Sequence, residues 1–328
     1  MPAEWEPHEA CLMEWPTVTR GDLWGERFEA AKHDYAEVAT TIAGFEPVVM
    51  VCDPDQESEA HRMCGAGVQV LPLPIDDSWM RDNGPIFVRD DEGRVALVHF
   101  GFNAWGERFH PYDKDAEVPR HIAAYLGMRR YEAPFVLEGG SFLVDGEGTL
   151  ITTEQCLLNP NRNPTMSREE IEAGLRDFLG AETVVWLGLG HSTDRDTDGH
   201  LDGIACVVAP ATVALLAPDD HRDPDHERGR ENLERLRAAR DARGRDFEVR
   251  PFQTRPPGTV PYLNLYFPNG GVIVPIASRP EDEQALEQIA NLFPDREMVP
   301  VPGETLCFGG GGPHCITQQV PIGVPVPA

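Results

Sequence analysis

The 328 residues are 41% hydrophobic and 25% charged, the balance of a globular chain long enough for one large domain or two. Against 55 acidic side chains stand only 28 basic ones; the net charge of −27 repels phosphate backbones, argues against a nucleic-acid partner and suits a cationic one. There is no run of 18 apolar residues to span a membrane, and the seven cysteines, odd in number and without a CxxC pair, argue against a disulfide framework or zinc ribbon and fit a reducing cytoplasm.

Taken in chain order, the start, MPAEWEPHEA, has no apolar stretch behind basic residues, so no signal peptide is expected. An amphipathic helix follows over 26–43. The stretch DDSWMRDNGPIFV (76–88) places Asp82 at the entrance of a strand that begins after Pro85; the plainest reading of its charges is a loop salt bridge from Arg81 to a nearby acid. That strand is the first limb of a hairpin, 86–100, and a weaker helical pattern covers 115–127.

In LEGGSFLVDG (137–146), Glu138 ends an apolar run before two glycines, and a carboxylate at the end of a buried strand must be paired or hydrogen-bonded. A second hairpin spans 142–153. The helix at 167–180 opens with Ser167 three residues before Glu170, a capping box, and ends on Gly180.

GHSTDRDTDGHLDG (190–203) holds two histidines and four aspartates. Asp194, Asp196, Asp198 and Gly199 match the start of a calcium loop, but its twelfth position is Ala205 instead of glutamate and strand-like sequence follows. A calcium- or metal-binding module stays as the outlying alternative. On a strand, His200 and Asp202 would face the same way. A hairpin at 204–217, a helix at 224–244, a hairpin at 262–277 and a helix at 279–293 complete the regular elements.

FGGGGPHCITQQ (308–319) sets four glycines before His314 and Cys315. Each glycine costs about 0.5–1 kcal/mol of backbone entropy against alanine, so the run implies close approach to the backbone or a floppy loop. Cys307, eight residues before Cys315, lies in strand-like context as a packed thiol.

Four hairpins, each followed by a helix, suggest repeated modules arranged radially, the first and last segments completing a fifth. An ordinary α+β domain with several hairpins stands beside that reading.

A thiolate and an imidazole suit nucleophilic catalysis, whereas nearby carboxylates raise a thiol's pKa unless the substrate is itself a cation. Guanidinium carries five donors and no acceptor, so two carboxylates can clamp it and hold its carbon before the thiol.

The stretches MPAEWEPHEACLMEWP (1–16), DDSWMRDNGP (76–85), FNAWG (102–106), EGGSFLVDGEGTLITTEQCLLNPNRNP (138–164), DTDGHLDG (196–203) and HCITQQ (314–319) resemble the agmatine deiminase and bacterial peptidyl-arginine deiminase family of guanidine-modifying enzymes. The resemblance implies an α/β pentein fan, five pseudo-symmetric ββαβ modules around a central channel (an α/β propeller), as a single catalytic domain over 1–328.

By the same resemblance Cys315 is the nucleophile, His200 the general acid and then base, Asp82 and Asp202 the guanidinium carboxylates and Glu138 their supporting acid, with Trp79 lining the pocket. The implied reaction is cofactor- and metal-free hydrolysis of a small guanidino substrate to a ureido product and ammonia, agmatine to N-carbamoylputrescine in polyamine (putrescine) biosynthesis. Peptidyl or free arginine, or another guanidino metabolite, are the alternatives. Agmatine's second cation would need an acid, for which Asp198 is the candidate. Membrane partners are not expected, and a homodimer stays open. The chain departs from the family's usual pattern at Gly203, Gly312 and Pro313.

Overall fold

The computed structural model describes residues 1–254 and 260–328. The fold is α/β, with the strands of the described residues gathered into five sheets.

Three sheets repeat one construction. Ile86–Arg89 pairs antiparallel with Arg94–Gly101, and Arg130–Val136 joins parallel after the helix Val118–Leu126. Phe142–Val144 and Thr149–Thr153 receive Thr183–Leu187 in the same way, and Ala205–Ala209 and Thr212–Leu216 receive Glu248–Phe252. The connecting helices are Arg168–Leu179 and His226–Ala238. A parallel neighbour requires a crossover, and a helix supplies it.

The chain's two end segments build a fourth sheet together. His8–Glu14 lies antiparallel to Thr317–Pro321 and parallel to Val48–Cys52, which follows the helix Phe28–Ile42. This pairing brings the start of the chain beside the Cys315 segment.

The fifth sheet differs from the expected hairpin at 262–277. Gly271–Ile276 pairs with Glu297–Pro302, but the first limb contributes only a single bridge, Tyr266 to Ile273. The Asn264 amide donates to the Pro261 carbonyl, turning the chain inward before a strand can form. The turn delivers Asn264 to Cys315.

Local chemistry sets the element ends. Ser167 and Glu170 form the reciprocal capping box, and Gly180 closes the same helix in the left-handed region at φ +73°. The helix expected to reach residue 244 stops at Ala238, because the Asp241 carboxylate captures the Arg243 and Arg245 amides in a tight turn. Cys307 lies on the short helix Glu304–Gly309, not on a strand, and is half-buried. Among the described residues, no helix is long and apolar enough to cross a membrane.

Candidate active site

Close packing explains the four glycines. A Cβ on Gly311 would stand 2.6 Å from the Trp79 ring and 2.9 Å from Cys315 Sγ; one on Gly312 would stand 2.7 Å from Asn264 Oδ1, and one on Gly309 2.2 Å from Trp24. Side chains do not survive such contacts, so glycine is required for two tryptophans and an asparagine to close around Cys315. Gly310, at φ +110°, turns the backbone where other residues are strained.

Buried Cys315 is held on two sides. Its Sγ lies 3.2 Å from Asp202 Oδ2 and 3.1 Å from Asn264 Nδ2, while Asn264 Oδ1 accepts from the backbone amides of His314 and Cys315 at 3.0 and 3.3 Å. Burial and then the charges of Asp202 and Asp82 push its thiol well above the ordinary cysteine value. The uncharged thiol donates to Asp202.

Opposite the thiol, three groups converge on one glycine. A Cβ on Gly140 would meet His200 Nδ1 at 2.7 Å, Asp82 Oδ1 at 2.8 Å and Asp202 Oδ2 at 2.9 Å. The Gly140 amide donates to Asp82 Oδ1 at 2.9 Å, and its carbonyl accepts from the amides of Leu201 and Asp202. His200 and Asp202 therefore share a neighbourhood through this glycine and not through strand pleating; they lie in turns, and the strand begins only at Ala205.

Asp82 occupies the one-turn helix Met80–Asn83, ahead of the strand. Trp105 Nε1 donates to its Oδ2 at 2.9 Å from a segment where Ala104, Trp105 and Glu107 all have positive φ. Non-glycine residues hold that conformation at a cost of about 1–3 kcal/mol each, so strain is invested in fixing this carboxylate. Burial, partly offset by His200 and reinforced by Asp202 and Glu138, pushes its carboxyl up to about 6. The loop reading also holds beside it, since Arg81 pairs with Glu4 at 3.2 Å.

Both ring nitrogens of buried His200 lack a hydrogen-bond partner among the described residues, lying 3.8 Å from Asp82 Oδ1 and from Glu138 Oε2. That is an attraction between charges and not a hydrogen bond. Burial alone would lower its pKa, but Asp82 and the groups behind the ring outweigh burial and raise it well above the histidine norm. Glu138, fully buried, accepts from Arg162 Nε at 2.7 Å; the guanidinium overcomes burial and keeps the carboxylate ionised.

Of the three aspartates at 194–198, Asp194 and Asp196 line the cavity beside Cys315, and of these Asp196 also lines the smaller chamber next to it. Asp194 accepts from the backbone amides of Asp196, Thr197 and Gly199, organising its own loop. Asp198, the residue expected at the substrate's far end, is instead clamped by Arg108, Arg162 and Asn161. Their carboxylates do not assemble a calcium site. The cluster with metal-ligand types among the described residues is Glu138, Cys156 and His200.

A cavity of about 260 Å³ runs past Cys315, His200, Asp202 and Asp196 to Val260 and Phe308. A smaller chamber, about 20 Å³, joins Trp79, Asp82 and Trp105 to the same Cys315 and Asp196. The motif-borne residues Cys315, His200, Asp82, Glu138, Asp202 and Trp79 are thus brought together, and Asp198 is not. Sequence reasoning gave no site role to Asn264, Trp105 or Arg162, and weighed Asp196 only as part of the calcium loop. FNAWG and NPNRNP already flagged Trp105 and Arg162 by resemblance without a role, as DTDGHLDG did Asp196, whereas nothing in YLNLYFP marks Asn264.

The profile of the Porphyromonas-type peptidyl-arginine deiminase family matches residues 1–321. An agmatine deiminase of Pseudomonas aeruginosa is 42% identical over 98% of this chain and 95% of its own length, and one of Pseudomonas putida is 41% identical over 99% and 96%. A solved agmatine deiminase of Enterococcus faecalis superposes with a TM-score of 0.93 at 36% identity, covering 98% of this chain and 95% of that one.

Proposed function

The chain belongs to the Porphyromonas-type peptidyl-arginine deiminase family, and from that premise we propose that it hydrolyses the guanidinium of agmatine to a ureido group, releasing ammonia and N-carbamoylputrescine. The observation that carries the reading is the convergence of Asp82, Asp202 and His200 on Gly140 with Cys315 Sγ beside them. Two carboxylates offer acceptors to a cation made only of donors, and a thiol faces the carbon between them.

In the free protein the thiol is protonated. A guanidinium seated between Asp82 and Asp202 neutralises the charges that disfavour the thiolate, so substrate binding itself promotes release of the thiol proton to solvent. The thiolate attacks the guanidinium carbon, forming a C–S bond and a neutral tetrahedral adduct. His200, protonated at the outset, gives its proton to one amino group, which leaves as ammonia as the C–N bond breaks. The remaining S-alkyl-thiouronium is cationic and stays clamped. Neutral His200 then takes a proton from water as the oxygen adds to the carbon. The C–S bond breaks while the new hydroxyl loses its proton to solvent, leaving the C=O of the ureido product and the thiolate. Glu138, anchored by Arg162, supports the imidazolium in both halves.

The far ammonium of agmatine would meet Asp196, which lines both chambers, in place of the clamped Asp198. Trp79 would form the wall behind the guanidinium. The same reading takes residues 1–328 as one catalytic unit of the pentein type, its five sheets as pseudo-symmetric modules around the channel that holds the site. Ammonia release from agmatine, arginine, peptidyl-arginine and simpler guanidines tests it: agmatine should give the highest kcat/KM, and turnover of another guanidine alone would overturn the substrate while sparing the chemistry.

A further inference from the structure

His314 stands next to the nucleophile in sequence but points away from the cavity into a buried chain of charges. Its Nδ1 lies 2.9 Å from Asp202 Oδ2 and its Nε2 2.9 Å from Glu4 Oε1, and all three side chains are nearly fully buried. Ionised carboxylates only accept, so two of them on opposite nitrogens require an N–H on each. That ring is an imidazolium.

Resting on the deiminase reading above, we infer that His314 is a positioning residue for the reaction: a buried imidazolium, tethered through Glu4 to the start of the chain, that holds Asp202 ionised and turned toward the guanidinium. Asp202 Oδ2 is shared by His314 and Cys315, so the same oxygen that takes a proton-bearing nitrogen from behind faces the nucleophile in front.

The surrounding charges agree. Burial would raise the Asp202 carboxyl, but the hydrogen bond and charge of His314 outweigh burial and hold it below the usual range. Glu4, also buried, is held down at about 2 by His314 and Arg81. Burial and Arg81 oppose charge on His314, yet Glu4 and Asp202 prevail and raise it above the ordinary histidine value. Arg81 meets this group twice, its Nη1 3.2 Å from Glu4 and its Nε donating to the His314 carbonyl at 3.3 Å. Among the described residues, Cys315 donates to Asp202, the neutral Asn264 accepts from the His314 amide, and Cys206 lies near Glu4, its thiol raised by burial and then by that charge. A neutral ring would leave Asp202 buried beside Asp82 and His200 with one fewer counter-charge, and such a carboxyl takes up a proton more readily.

Nitrogen-15 NMR of the free wild-type protein, labelled in histidine and assigned by the spectrum of His314→Asn, reads the ring directly. Both ring nitrogens should stay protonated through the window just above neutral pH in which an ordinary histidine has already lost its charge. A neutral His314 across that window would overturn the inference, whatever the enzyme's substrate.

Kinetics supply the second reading. Asparagine keeps a donor toward Asp202 but loses the charge and the link to Glu4, so His314→Asn should raise KM about tenfold and move the acidic limb of kcat/KM to higher pH. Glu4→Gln, which retains shape and an acceptor, should move the limb the same way by less. An unchanged limb in both folded variants would overturn the positioning role. Failure of the wild type to turn over agmatine would count against the function proposed above and leave the NMR result to decide this one.

Discussion

Cys315 Sγ lies 3.2 Å from Asp202 Oδ2, so the free protein keeps this thiol as a hydrogen-bond donor to a carboxylate. Neighbouring negative charge makes this a poor thiolate until a cation arrives. The expected consequence is selective labelling: a cationic haloacetamidine should modify Cys315 far faster than neutral iodoacetamide at the same pH. Equal rates would show that no substrate-dependent ionisation operates. Cys315→Ser should abolish turnover, whereas Cys307→Ser, whose thiol borders only the outer cavity, should remain active.

Asp82 is the acid whose titration should show in the pH profile. Its carboxyl sits at about 6 because burial, followed by the balance of His200 against Asp202 and Glu138, favours the neutral form. Only the ionised form clamps a guanidinium, so kcat/KM should fall as pH drops through about 6. Asp82→Asn turns a donor toward a group made of donors and should cut kcat/KM about a hundredfold or more at every pH. Near-normal turnover in that variant would reduce Asp82 to a loop residue.

Arg162 ties Glu138, Asp198 and the Thr197 carbonyl together from a fully buried position. Arg162→Ala would strand buried Glu138 while Asp198 kept Arg108 and Asn161, and breaking such a buried pair costs about 3–5 kcal/mol. A clear fall in Tm and in the urea midpoint is expected. The sign of the pH dependence follows from Glu138: its folded pKa is depressed, so the pair stabilises above the unfolded carboxyl value and the contribution is lost as pH falls through the folded value. The stability gap between wild type and variant should therefore narrow in acid; a gap independent of pH would contradict the assignment.

Asp196 and Asp198 offer a direct contrast. Asp196→Asn should raise KM for agmatine about tenfold while changing that for butylguanidine much less, since only agmatine carries a distal ammonium. Asp198→Asn should affect both substrates alike, through the Arg108 and Arg162 clamp. The reverse pattern would return the far-end role to Asp198. EDTA should leave the rate unchanged; loss restored by a divalent cation would point to the Glu138, Cys156 and His200 cluster.

The parts of this site that were legible in the sequence sit inside dense local patterns. Cys315 followed a glycine run, Glu138 preceded two glycines, and His200 and Asp202 shared one acidic stretch. The meeting point of His200 and Asp202 was not legible by pleating, because both lie in one irregular loop and Gly140 gathers them there with Asp82. Asp198 looked equivalent to Asp196 until Arg108, 90 residues away, was seen to occupy it. Asn264 lay in what reads as a strand limb, and only the inward turn from Pro261 makes it a partner of Cys315. Hairpins and capped helices were readable for a simpler reason: their signals are local, whereas the union of the first and last strands in one sheet depends on contacts across the whole chain.

The covalent intermediate is the most direct test of the account. Wild-type protein mixed with saturating agmatine, quenched in acid during steady turnover and digested, should yield the Cys315 peptide with a mass gain equal to agmatine less ammonia, and Cys315→Ser should yield none. Steady ammonia release with no such adduct, or an adduct on another cysteine such as Cys307, would contradict it.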